Sequence, residues 1–105
     1  MPTLKDNPTL ADFQRYVAEM VVERGFDKET LAEAFMLFLE ESGEMAKAAR
    51  KTQGLKTDAT SQKYRIDHEI ADVFIYLLDI ANKCGVDLEK AFRDKEEINK
   101  QRTWK

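Results

Sequence analysis

Apolar residues recur at helical spacing through most of this sequence, and glycine interrupts them at three well-spaced points, Gly25, Gly54 and Gly85. Leu10, Phe13, Val17, Met20 and Val21 repeat every three or four residues. Leu31, Phe35, Phe38, Leu39, Met45 and Ala49 form a second stripe, and Ile66, Ile70, Val73, Phe74, Leu77, Leu78 and Ala81 a third. This is the period of a helix with one buried face, and no alternation of strand period competes with it. Asn7-Pro8-Thr9 predicts a first helix capped at Asn7, with Pro early in the helix and Gly25 as its stop. Asp27 is the expected cap of a second helix that runs to about Gln53, with Gly54 ending it. The polar stretch GLKTDATS, residues 54–61, reads as the longest loop. A third helix is expected from Ser61 or Gln62 to Gly85, and a fourth after Asp87 with Leu88, Ala91, Phe92 and Ile98 turned inward. The residues after Lys100 fray or pack on a partner. The predicted architecture is all-α, a four-helix bundle with two long central helices.

Composition narrows the class further. A chain of 105 residues has room for a single domain, 1–105, and its 43% hydrophobic content is too high for disorder. Seventeen basic residues against 20 acidic ones leave a net charge of −3, which argues against binding nucleic acid through a positive field. The single Cys84 cannot form an internal disulfide. No apolar run approaches the roughly 20 residues that span a bilayer, and the N-terminus lacks a signal-peptide pattern. A cytoplasmic location with no membrane contact is the expectation. A chain this short buries only about 60–65% of its unfolded surface, so a homo-oligomer that shares core between subunits is also expected.

The informative feature is where the acids fall. Glu41 and Glu44 stand at i and i+3 on the second helix, between Phe38 and Met45. Glu69 and Asp72 repeat that spacing on the third, between Ile66 and Val73. Residues three apart share a helix face, so antiparallel packing would converge four carboxylates near mid-helix. Like charges and desolvation would raise their pKa values, and a hard divalent cation resolves the conflict. Gly43, beside them, suggests the close approach of a ligand or a facing helix, since it costs a helix about 1 kcal/mol relative to Ala. Either pair alone reads more readily as a solvated face; two pairs flanked by core residues, on helices that ought to face each other, bring a metal site level with that reading.

The order of these residues resembles a known family. Glu40-Glu41-Ser42-Gly43-Glu44, followed after 24 residues by Glu69-Ile70-Ala71-Asp72, is similar to the EExxE…ExxD signature of the MazG-like, all-α nucleoside triphosphate pyrophosphohydrolases. The stretch from Glu69 to Asn82, the Gly85-Val-Asp-Leu turn, and the ending Lys95, Asn99, Arg102 and Trp104 extend the resemblance over nearly the whole chain. It implies Mg²⁺-dependent hydrolysis (Mn²⁺ as an alternative) of a nucleoside triphosphate to the monophosphate and pyrophosphate. By position it implies Glu41, Glu44, Glu69 and Asp72 as metal ligands, with Glu40 or Glu41 serving the attacking water. It further implies Tyr76 near the sugar and phosphates, Phe26 against the base, Asn82 at a base edge, and Lys83, Lys51, Lys95 and Arg102 at phosphate. Each of these also has a plain structural reading: Tyr76 as a bundle tyrosine, Phe26 as a staple between helices, Asn82 near a helix end, the cations as solvated charges. A dimer or dimer of dimers is implied too.

His68 points about 100° away from Glu69 and lacks a Glu three residues before it, so a ferritin-like di-iron site is not expected. Two other readings stay open. One is a different pyrophosphate substrate, such as a phosphoribosyl nucleotide. The other is a non-enzymatic helical module whose acids pair with Lys47, Arg50 or Lys63.

Overall fold

The computed structural model describes residues 1–54 and 65–103. Within them lie four helices, α1 (Leu10–Glu23), α2 (Leu31–Thr52), α3 (Ile66–Lys83) and α4 (Leu88–Lys100), and no strand. No described helix is long and apolar enough to cross a membrane.

The first two helices begin later than Asn7 and Asp27 suggest. Thr9 caps α1: its hydroxyl accepts from the Asp12 amide at 3.2 Å, and the Asp12 carboxylate accepts from the Thr9 amide at 2.8 Å. Thr30 and Glu33 make the same reciprocal box at α2, with distances of 3.1 and 3.0 Å. A Thr with an acid three residues on satisfies two orphan donors, whereas Asn7 or Asp27 would satisfy one, so the box decides the start. Asp12 is further held by Arg15 at 2.6 Å and Lys5 at 3.3 Å. Asp87 caps α4 as expected, accepting from the Lys90 amide at 3.1 Å. The expected start of α3 at Ser61 or Gln62, like most of the 54–61 loop, lies outside the described residues; the helix as described opens at Ile66.

The helix ends follow the glycines. Gly25 has φ +78° and Gly85 has φ +67°, the left-handed conformation that an L side chain resists. At the first of these, the Phe26 amide donates back to the Val21 carbonyl at 2.7 Å and the Gly25 amide to Val22 at 3.2 Å. That closure turns the chain sharply and sets Phe26 over the end of α1.

The core lies between α1 and α3. Val17, Met20 and Leu78 are buried, with Phe13 and Phe74 meeting edge-on at 5.8 Å and Leu88 of α4 closing one side. Gln14 ties this unit to the α3–α4 turn. Its side-chain amide donates to Asn82 and to the Val86 carbonyl, and its oxygen accepts from the Leu88 amide at 2.9 Å.

The second helix buries small residues most completely, and of the large stripe the sequence suggested only Phe38 and Met45 are partly covered. Ala34 and Ala48 are fully buried, while Leu39 is 66% exposed and Leu31, Phe35 and Met36 are exposed beside it. Leu37, Phe38 and Met45 are half-buried, so the remaining large apolar side chains of α2 are the ones left on the outside. Ile70, Leu77, Phe92 and Ile98 are exposed as well, and α4 buries none of its residues.

Candidate metal centre and adjoining pocket

Ala34, Glu41 and Ala48 fall at seven-residue intervals, so Glu41 sits midway along the buried seam of α2, flanked by its two tightest contacts. Across that seam α3 presents Glu69 and Asp72. One carboxylate oxygen from each of Glu41, Glu69 and Asp72 lies within 4.8 Å of the other two. Glu69 is buried, Glu41 half-buried and Asp72 exposed, so the group opens to solvent on the Asp72 side. Glu44 follows one turn later on α2, and its Oε2 is buried without a hydrogen-bond partner.

The electrostatics agree with the geometry. Burial, reinforced by Asp72, Glu69, Glu40 and Glu44, pushes the Glu41 carboxyl above the usual carboxylate range. Burial also pushes the Tyr76 hydroxyl up, with Glu41, Glu29, Asp72 and Glu40 adding to the effect. All the donors here are hard carboxylate oxygens, one of them is orphaned, and their mutual repulsion is uncompensated at Glu41. Such a set fits Mg²⁺ or Mn²⁺. Gly43, by contrast, does not serve close packing within the chain, because a Cβ there would meet nothing within 4 Å.

A cavity of about 130 Å³ adjoins the acids, between the end of α1, the α1–α2 turn and α3. Asp72 lies on its wall together with Phe26, Tyr76, Arg24 and Asp79. The structure thus brings Phe26 and Tyr76 into one cavity with Asp72. Larger grooves of about 580 and 460 Å³ run along α4 and contain none of the four acids.

Other candidates fall elsewhere. The Asn82 amide donates to the Gln14 carbonyl at 2.9 Å and its oxygen accepts from the Gln14 side chain at 3.1 Å, so Asn82 clamps α1 to α3 instead of reaching toward a base. Lys83 is bound to Asp79, at 3.0 and 3.3 Å from its two oxygens. Lys95 lines the α4 groove with Phe74 and Leu77, which lie on the opposite side of α3 from Asp72. Arg102 follows α4, Lys51 is in the last turn of α2, and Trp104 lies outside the described residues. Asp79 escaped the sequence reading. It stands seven residues after Asp72, on the same helix face, which is the one signal that would have found it.

Comparison with known proteins bears on this arrangement. No family model matches the chain. The Rattus norvegicus protein named dCTP pyrophosphatase 1 is 35% identical over 103 residues, covering 90% of this chain and 59% of that protein. A Salmonella phage PMBT28 protein named dATP/dGTP diphosphohydrolase is 32% identical over 96 residues, covering 91% of this chain and 28% of that one. This chain therefore spans under two thirds of the length of these relatives. The solved structure of the cyanophage S-2L MazG-like pyrophosphohydrolase, bound to dGDP and three catalytic Mn²⁺ ions per active site, superposes with a TM-score of 0.72. It is 29% identical, over 96% of this chain and 87% of that one. The chain has the fold of that MazG-like pyrophosphohydrolase. Its four helices give the all-α fold of that neighbour, and its acidic cluster lies on the pair of helices that carries the EExxE…ExxD residues.

Proposed function

We propose that this chain is a MazG-like domain that hydrolyses deoxynucleoside triphosphates between the α- and β-phosphates, with Mg²⁺ or Mn²⁺. The observation that carries the reading is the convergence of Glu41, Glu69 and Asp72 within 4.8 Å, beside the orphaned Oε2 of Glu44. These four residues would hold the metal. When bound there, a divalent cation would offset the triphosphate's charge and make the attacking water more acidic. The relatives' names, dCTP pyrophosphatase and dATP/dGTP diphosphohydrolase, support the same class of substrate.

The chain's own groups complete the chemistry. Water oxygen attacks the α-phosphorus, the bridging P–O bond to the β-phosphate breaks, and pyrophosphate leaves. Glu40, exposed next to the cluster, accepts the water's proton. The Tyr76 hydroxyl is protonated at neutral pH, as any tyrosine is, and burial pushes its pKa further up, so it donates to a sugar or phosphate oxygen. Phe26 closes the pocket as a flat apolar wall. The assay is pyrophosphate release from the four deoxynucleoside triphosphates with Mg²⁺ or Mn²⁺. Release abolished in Glu41→Gln is the expected result; equal release by the variant, or none by the wild type, refutes the reading.

The domain works as a homo-oligomer, a dimer or dimer of dimers. Support comes from the apolar side chains that α2 and α4 leave in water, Phe35, Met36, Leu39, Phe92 and Ile98 among them. Light scattering should give a multiple of 12.2 kDa that Leu39→Glu reduces; a monomeric wild type overturns the assignment.

A further inference from the structure

The pocket beside the metal-binding acids contains a carboxylate that the hydrolytic chemistry does not use. Asp79 is 6% exposed and lines the same cavity as Asp72, two turns further along α3. Lys83 grips both of its oxygens from the next turn of α3, itself 17% exposed, so the carboxylate is neutralised and held in one orientation. A carboxylate offers about four lone-pair sites, and the Lys83 ammonium occupies at most two. The remainder stay available to a ligand.

Size and spacing say which part of a nucleotide meets it. Sites that enclose a whole small-molecule ligand have about 300–1,000 Å³. At about 130 Å³ this cavity takes a single ring system, and Phe26 and Tyr76 provide aromatic walls for it. Asp72 and Asp79 are seven residues apart on α3, a rise of about 10 Å. That is the reach of a nucleoside from its α-phosphate to the outer edge of its base. A triphosphate bound at Asp72 therefore presents its base edge to Asp79.

We propose that Asp79, oriented by Lys83, selects the base, and that it selects guanine. A carboxylate only accepts hydrogen bonds, and its two oxygens match two adjacent N–H donors. Guanine, with N1–H beside the N2 amino group, is the one standard base whose Watson–Crick edge has such a pair. Cytosine and adenine offer one amino group beside a ring acceptor. Thymine and uracil place a carbonyl on each side of their single N–H, so one carboxylate oxygen would face another oxygen. This inference rests on the proposed hydrolytic function and names the substrate of that same site.

The test is kcat/KM for the 2′-deoxynucleoside triphosphates of guanine, hypoxanthine, cytosine, adenine and thymine, on the wild type and on Asp79→Asn. Hypoxanthine differs from guanine only in lacking the N2 amino group. A hydrogen bond to a charged group contributes about 1.5–3 kcal/mol, so the wild type should prefer guanine to hypoxanthine by about ten- to a hundredfold, with thymine lowest. In Asp79→Asn the guanine-to-hypoxanthine ratio should fall to near one. A general loss of stability scales both substrates together and leaves that ratio unmoved. The wild-type ratio needs no variant, so a poorly folding Asp79→Asn does not shelter the proposal. Equal rates with guanine and hypoxanthine in the wild type would overturn Asp79's role while leaving the hydrolase reading intact. Pyrophosphate release from none of the five refutes both.

Discussion

Neutralising Glu41 should stabilise the metal-free protein and abolish its stabilisation by metal. In Glu41→Gln the side chain keeps its shape and loses its charge. In the wild type, two like charges 4.8 Å apart repel by about 0.9 kcal/mol in bulk water and about 3.5 kcal/mol at an effective dielectric constant of 20. Glu41 faces two such neighbours, Glu69 and Asp72. Because Asp72 is exposed, screening keeps the sum near the lower limit, and the variant should gain about 1–2 kcal/mol in EDTA. For a domain of this size that is a rise in Tm of about 5–15 °C. With metal the order reverses. A cation at a hundred times its Kd stabilises the wild type by about 2.7 kcal/mol, and the variant, one ligand short, by far less. Thermal denaturation followed by circular dichroism, in EDTA and in Mn²⁺, reads both arms. A variant less stable than wild type in EDTA, or equally stabilised by Mn²⁺, would refute the argument, for the cluster would then be held by cationic side chains and not by a metal.

Other expectations follow from the same structure. Thr30→Ala removes one half of the α2 capping box and should cost about 1 kcal/mol, read as a lower midpoint in urea. Gly43→Ala should raise stability by about 1 kcal/mol, since Gly43 is helical and an added Cβ meets nothing within 4 Å; an unchanged or lowered urea midpoint would refute this. The stability of the metal-free protein should peak at mildly acidic pH. Glu41 has a raised pKa, so the stability it contributes is complete below its usual 4.5 and is lost as pH rises through its higher folded value. Asp12 and Asp67 have lowered pKa values, from hydrogen bonds with Thr9 and Arg65 respectively, so their contribution is present above 3.8 and lost as pH falls further. Urea midpoints from pH 3 to 8 in EDTA check this, and Glu41→Gln should flatten the upper limb.

Only some of the physical signals in this chain are local. Helix ends at Gly25 and Gly85 need only a backbone that tolerates positive φ, and the four acids need only three-residue spacing to share a face, so both were legible in the letters. The helix starts were legible in kind but misassigned in place. Asn7 and Asp27 are good caps, yet Thr9 and Thr30 win because Asp12 and Glu33 return the hydrogen bond. The pairing of Asn82 was not legible for a different reason: its partner, Gln14, is 68 residues away in sequence, and no local pattern reports such a contact.

Periodicity along one helix states that a face exists, not what covers it. From sequence alone the chain was determined to be helical, to break at its glycines, and to carry two acidic pairs on its longest helices. Only the tertiary structure decided that α2 buries Ala34 and Ala48 most completely, leaving Phe35 and Leu39 outside. It likewise decided that Glu41 enters that seam while Glu44 keeps an unpaired oxygen at its edge, and that Asp79 joins Asp72 in one cavity. The reason is the same in each case. Burial, hydrogen-bond partnership and cavity walls depend on residues from helices distant in sequence, so they exist only once the helices have packed.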